Sequence, residues 1–178
     1  MFHPLEKFRF CPSCGSDAFI EANDKSKQCE KCGFQYYLNA VSAVACFVVD
    51  DCGRLLLCRR GKEPAKGSWD LPGGFVDLDE SAEQALRREI SEELGSEVES
   101  ISYLFSLPNE YIYSGFTVRT LDMFFLIRLA DLNCLRPADD VDAIEFFEFD
   151  KIDLATIGLK SVRQAVGRFL EEYKGGII

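Results

Sequence analysis

The sequence predicts an α/β fold, a mixed sheet with a helix packed on each side, preceded by a small cysteine-rich knob. Three observations predict it. Short apolar, strand-like runs occupy 41–49 and 54–59. Helical three-four periodicity marks 81–94 and 160–173. Paired cysteines are confined to the first thirty-five residues. The domain division that follows is 1–37 for the knob and 38–178 for the body.

The knob comes first. Cys11-Pro12-Ser13-Cys14-Gly15 and Cys29-Glu30-Lys31-Cys32-Gly33 are two C-x-x-C turns, each followed by a glycine that eases the backbone curl. Two such turns aim four thiolates at one point, the pattern of a closed tetrahedral zinc site with no open coordination position. A disulfide framework is disfavoured without a secretory signal, and a redox C-x-x-C does not account for the duplicated pair. The interval 1–35 has too few apolar residues to fold alone, so Zn²⁺ is expected to supply most of its stability. The arrangement resembles a zinc ribbon. Its lysines are offset by Asp17, Glu21, Asp24 and Glu30, which favours a structural or docking role over nucleic-acid binding.

In the body, Val41 to Val49 reads as a buried strand, Asp50-Asp51-Cys52-Gly53 as a turn, and Arg54 to Arg59 as the returning strand. A polar loop leads to Trp69 and then to Leu71-Pro72-Gly73-Gly74, whose glycines permit backbone close to a ligand. Ser81-Ala82-Glu83-Gln84 is a capping box that opens a helix, and Gly95 stops it after Leu94. Further strands are expected near 98–106, 119–129 and 144–149, and Val162, Ala165, Val166, Phe169, Leu170 and Tyr173 line one face of a last helix.

Composition narrows the function. Lysine and arginine number 20 against 30 acids, a net charge of −10 that opposes general nucleic-acid binding. No apolar run approaches the ~20 residues that span a bilayer, and the N-terminus lacks signal-peptide character. The expected location is the cytoplasm. His3 is the single histidine, which removes most Ser–His–Asp and Cys–His mechanisms. Cys46 and Cys58 lie in strand-like runs and read as buried small hydrophobes. Chemistry is left to carboxylates and metals.

The carboxylates are on the first helix. At about 100° per residue, Ala82, Ala85, Leu86, Ile90 and Leu94 form an apolar arc. Glu89 and Glu93 fall inside it, with Glu92 at its edge. A solvated charged face is the alternative, but solvated acids should lie opposite the arc. Packing such a cluster against the body is unfavourable without a cation, and hard oxygen ligands suit Mg²⁺ or Mn²⁺.

Gly74, Glu80 and Arg88-Glu89-Ile90-Ser91-Glu92-Glu93-Leu94-Gly95 together resemble the signature box of the Nudix hydrolases, with Ser96 in place of an aliphatic residue. The resemblance implies an α/β/α sandwich and a metal-dependent hydrolase cleaving a nucleoside diphosphate linked to another moiety. It implies that Glu89, Glu92 and Glu93 hold Mg²⁺ or Mn²⁺, one of them helping to deprotonate water. It also implies that the Gly73 carbonyl joins the shell, that Arg88 pairs with Glu80, and that Asp142 occupies the position of a late metal ligand.

A zinc ribbon before such a box resembles the NADH pyrophosphatase branch. That branch carries a Ser-Gln-Pro-Trp-Pro-Phe-Pro-x-Ser segment. Here Ser106, Pro108, the aromatic Tyr111 and Ser114 are retained from it. The implied substrate is NADH, another dinucleotide or an ADP-sugar. Arg59, Arg60, Lys62 and Lys66 form a basic stretch suited to its phosphates, with solvated loop charge the alternative. Tyr111 and Tyr113 suit base stacking, with ordinary packing the alternative. A non-enzymatic Nudix-like sensor or binding module, and a metal-dependent isomerase on the same scaffold, are the competing functions. No membrane partner is expected, and a homodimer is left open.

Overall fold

The computed structural model describes residues 3–174. The chain divides into two units, Met1–Ala40 and Val41–Ile178.

In the first unit, β1 (Phe19–Asn23), β2 (Ser26–Cys29) and β3 (Gln35–Tyr37) form an antiparallel sheet in chain order. The two C-x-x-C turns repeat one geometry. In the first, the Gly15 N–H donates to Cys11 O at 2.9 Å and the Cys11 N–H to Ser16 O at 2.8 Å. In the second, the Gly33 N–H donates to Cys29 O and the Cys29 N–H to Phe34 O, both at 2.8 Å. Both glycines are left-handed, with φ of 71° and 77°, where a Cβ would be strained. Cys11, Phe19 and Cys29 are the buried centre of this unit.

In the second unit, β4 (Val41–Val48), β7 (Gly73–Phe75), β8 (Val98–Tyr113) and β9 (Phe116–Leu129) make a four-stranded sheet in the order β7-β4-β9-β8. It is mixed, because β4 runs parallel to β9 while the other pairs are antiparallel. A second, antiparallel sheet joins β10 (Val141–Glu148), β5 (Arg54–Arg60) and β6 (Trp69–Asp70). The helices are α1 (Ala82–Leu94) and α2 (Lys160–Lys174).

Strand alternation places the helices on opposite faces. Val44, Cys46 and Val48 of β4 pack with Ala85, Leu86, Ile90 and Leu94 of α1. Ala45 and Phe47, the intervening residues, pack with Val162, Ala165, Val166 and Phe169 of α2. Successive strand side chains point to opposite sides, so each core belongs to one helix. The result is an α/β/α sandwich with both sheet faces covered. No helix among the described residues is long and apolar enough to cross a membrane.

Two regions differ from the expected pattern. The strand expected near 98–106 continues to Tyr113, turns at Ser114-Gly115 with φ of 49° and 70°, and returns from Phe116. The segment Ser106–Ser114 is therefore mostly strand, because its cross-strand register with Thr117–Met123 persists despite Pro108 and Asn109. Edge position explains the tolerance for proline, since β8 is the last strand of its sheet. The stretch read as loop also contains β6 and β7, too short to show a period.

The α2 face is locked by Phe47, fully buried and stacked on Phe169 with ring centroids 4.0 Å apart and 6° between planes. Phe47→Ala is expected to destabilise the protein by about 3–5 kcal/mol, the range for removing a buried phenyl ring. Denaturant unfolding of the two proteins measures it.

Candidate functional site

Helix α1 is fixed at both ends by its own sequence. Ser81 Oγ accepts from the Gln84 N–H at 3.3 Å, and the Ser81 N–H donates to Gln84 Oε1 at 2.7 Å. Gly95 closes the helix in the left-handed region, donating to Ser91 O at 3.1 Å. Between these caps the apolar arc is buried, and it carries Glu93 in with it at 7% exposure.

Glu93 is held by the backbone of β7. Its Oε2 accepts the Gly73 N–H at 2.9 Å. Burial is the main force on its proton, and the charges of Glu89, Asp70 and Asp140 act in the same direction. Together they push its pKa up to about 8 against the opposing Gly73 N–H. Burial likewise raises Glu89, with Arg88 opposing and Glu92 and Asp140 reinforcing.

Arg88 organises the other acids. Its Nε and Nη2 hold the two oxygens of Glu80 at 2.8 and 2.9 Å. Its Nη1 donates to Glu89 at 2.8 Å and Glu92 at 3.1 Å, and Nη2 also reaches Phe75 O at 2.9 Å. All five guanidinium donors are thereby used. The fork holds Glu80 below the usual carboxylate range.

Beside this helix lies a cavity of about 460 Å³, within the size of small-ligand sites. Glu93, Gly73 and Gly74 border it on one side and Arg60 and Lys62 on another, while Tyr111 and Tyr113 line it from β8. Arg60 donates to Asp70 at 2.5 Å and to Pro64 O at 2.7 Å. Arg59 is exposed and does not line the cavity, because strand alternation turns it to the other side of β5 from Arg60. Glu92 is exposed at the rim of the acid group.

The late carboxylate at the cavity is Asp140, not Asp142. The β10–β5 register shifts between Val141 and Ala143, leaving Asp142 as the extra residue. It is exposed and faces Gly61, where an added Cβ would come within 2.7 Å of its Oδ1. Asp140 lines the cavity. Its pKa is raised, chiefly by burial and then by Asp139. The sequence reading also missed Asn109, Thr120 and Asp122 as cavity residues; Thr120 and Asp122 lie in the strand expected near 119–129, and Asn109 lies just beyond the one expected near 98–106. Their signal was a polar residue at alternate, inward positions of β8 and β9.

The four cysteines fit a zinc ion. Their Sγ atoms lie within 4.8 Å of one another, with Cys11–Cys32 and Cys14–Cys29 at 3.7 Å. Four sulfurs at ~2.3 Å from one tetrahedral centre are roughly 3.8 Å apart. The backbone N–H of Cys32 leads in lowering Cys29 to about 7. At Cys14 the Ser16 N–H works downward, but the sulfur of Cys32 leads the groups that push it up to about 12. Four thiolates therefore need a cation among them.

The acids of α1 fit Mg²⁺ or Mn²⁺ by donor chemistry. They are hard oxygens, and burial, reinforced by neighbouring acids including Asp140, already raises Glu89 and Glu93. In this arrangement Arg88 occupies Glu89 and Glu92, while Glu93 is bonded to Gly73.

Fold and acid helix together define a Nudix-type site. Residues 40–170 match the NUDIX domain, and the chain belongs to that family. Among its relatives is a protein named NAD-capped RNA hydrolase NudC from Stutzerimonas stutzeri, 26% identical over 168 residues; the match spans 94% of this chain and 56% of that one. The human mitochondrial protein named NAD(P)H pyrophosphatase NUDT13 is 36% identical over 98 residues, 55% of this chain and 27% of its own length. The chain thus spans about half or less of these curated relatives. A NUDIX hydrolase crystal structure from Nitrosomonas europaea superposes with a TM-score of 0.73 at 26% identity, covering 94% of this chain and 93% of that one.

Two outcomes test this geometry. Purified protein is expected to carry about one zinc per chain by metal analysis, and Cys29→Ser to lose it; a metal-free native ribbon would contradict the site. The glycines should respond differently. At Gly73, φ is 142° and a Cβ would meet Val44 O at 2.1 Å, whereas at Gly74 it would meet the Glu89 carboxylate at 2.3 Å. Gly73→Ala should cost at least the ~1–3 kcal/mol of a strained backbone. Gly74→Ala should keep stability nearer wild type in thermal unfolding while displacing Glu89 and lowering turnover.

Proposed function

We propose that this protein is a divalent-metal-dependent pyrophosphohydrolase. In this reading its substrate is a dinucleotide or nucleotide-sugar diphosphate, with NADH the leading single candidate. The observation that carries the reading is Glu93 of α1, buried beside Gly73 and Gly74 at the edge of a cavity with cationic and aromatic walls. The names of the two relatives support the dinucleotide class. The net charge of −10 favours a free dinucleotide over an RNA chain. Residues 1–37 act as a zinc ribbon and 38–178 as the hydrolase domain, and the protein works in the cytoplasm.

Mg²⁺ or Mn²⁺ would be held by Glu89, Glu92 and Glu93, with Asp140 the nearest further carboxylate at the cavity; the ion supplies water activation and neutralises phosphate charge. The protein's own contributions are distinct. Arg88 fixes the direction of Glu89 and Glu92 and ties them to Glu80. Glu93, oriented by the Gly73 N–H at the cavity edge, takes the proton from the attacking water. Lys62 and Arg60 bring positive charge to the phosphate side, although Arg60 is partly committed to Asp70. Tyr111, half-buried in the wall, offers a face for a base.

Hydrolysis of a panel of nucleotide-linked pyrophosphates should require added Mg²⁺ or Mn²⁺ and release a nucleoside monophosphate. Glu93→Gln keeps the shape and is expected to lower kcat by two or more orders of magnitude, about 3 kcal/mol or more of barrier, with the circular dichroism spectrum unchanged. Full turnover by that variant or in excess chelator, or turnover of nucleoside triphosphates alone, would overturn the assignment.

A further inference from the structure

The cavity has a polar floor where the sheet should be apolar. On the α2 side of β8, Phe105 and Leu107 belong to the core, and the next two residues of that phase are Asn109 and Tyr111. On β9, Phe124 belongs to the same core, and the preceding residues in phase are Asp122 and Thr120. Asn109 and Thr120 stand directly opposite in the β8–β9 register. Asn109, Thr120 and Asp122 are at most 9% exposed, and all three line the cavity.

Their hydrogen bonds are unevenly filled. Asp122 accepts the Thr120 hydroxyl on one oxygen and the Ser161 hydroxyl on the other, each at 2.5 Å. Both hydroxyl protons are therefore spent, and what remains toward the cavity from this pair is acceptor capacity. Asn109 differs. Its side-chain amide has no hydrogen-bond partner among the described residues, while no fully buried side-chain polar atom there lacks one. The amide is thus nine-tenths buried yet keeps its polar atoms open to the cavity.

We infer that Asn109 is a specificity-determining residue, pairing its amide with a planar ligand ring that carries an amino group beside an acceptor. The Asn109 carbonyl and the Thr120 and Asp122 lone pairs take the amino protons, and the Asn109 NH₂ meets the ring-side acceptor. The Tyr111 ring, one pleat further along the same face, covers the ring plane. The same chemistry is offered by the 6-amino edge of adenine and by the carboxamide of nicotinamide. A carboxylate in that place would face Asp122 and Asp70 and be repelled. Asn109 stands where the resembled branch has tryptophan, so this recognition belongs to the present chain. The inference rests on reading the cavity as the substrate site.

The test uses the full chain and separates binding from turnover. Calorimetry measures AMP and nicotinamide mononucleotide against two analogues, purine riboside monophosphate without the amino group and nicotinic acid mononucleotide with a carboxylate. Wild-type protein is expected to prefer one natural mononucleotide over its analogue by about tenfold to a hundredfold, the span of one or two neutral hydrogen bonds. That ligand identifies which ring sits at Asn109. Asn109→Leu, of similar size and without polar atoms, should abolish the preference, and Asn109→Ala should do the same if leucine disturbs packing. In hydrolysis of the dinucleotide the loss should fall on KM more than on kcat. Equal affinity for natural and analogue ligands in wild type, an equal loss for all four in the variants, or no mononucleotide binding would each overturn the inference. Dinucleotide turnover with no Asn109 effect sinks the subsite and leaves the hydrolase. Asn109-dependent binding without any turnover sinks the hydrolase and leaves the subsite.

Discussion

The carboxylates of Glu89 and Glu93 can sit against the sheet only because β7 has no side chains there. Gly73 opposes Ala45 and Gly74 opposes Val44 in the β4–β7 pairing. A methyl group on Gly73 would run into the backbone of β4, and one on Gly74 into Glu89. The strand is thus thin where the helix is acidic. Add a side chain at Gly74 and Glu89 must move aside; add one at Gly73 and the β4–β7 pairing that carries the site is strained. Catalytic geometry and core packing are one constraint seen from two sides of the same helix.

That constraint creates an electrostatic problem which Arg88 only partly solves. A guanidinium with all its donors engaged can fix Glu80, Glu89 and Glu92 in direction because the fork is planar and rigid. A lysine could supply the charge but not this set of fixed angles. Glu93 lies beyond the fork, supported by one backbone N–H. It is the most deeply buried of the acids on α1, and burial pushes its pKa up to about 8. Negative charge is thus concentrated at the cavity edge, where a cation would offset it. An overall acidic protein can bind an anionic substrate on these terms, since the ligand's partner is local charge and not the molecule's net charge.

How much of this was readable from the sequence depends on whether the signal was local. Ser81, Gln84 and Gly95 announced the ends of α1 because caps are short-range chemistry. The cysteine turns announced themselves by spacing, and the paired helical periods gave the two covering layers. What escaped depended on partners distant in sequence. The extension of β8 to Tyr113 is set by pairing with β9, across a turn whose residues carry no Asn-Gly signature. Asp140 replaced Asp142 at the cavity because of a bulge against β5, some eighty residues earlier in the chain. Arg60 was separated from Arg59 by strand phase alone. A resemblance transferred by position cannot foresee a one-residue bulge.

The polar floor of the cavity shows why inward polar residues carry information that inward apolar ones do not. Phe124 and Leu107 are where any two-faced sheet would put them, and their presence says only that a helix covers that side. Asp122 and Thr120 continue the same inward phase and cannot be explained by packing, because burying a carboxylate and a hydroxyl is costly unless each is bonded. Ser161, at the start of α2, bonds one oxygen of Asp122 while Thr120 bonds the other, tying the second helix to the floor of the site. The cavity is consequently gripped from both layers: α1 brings the acids at its edge, and α2 braces the acceptors at its floor. A ligand filling it would meet both sets of polar groups at once.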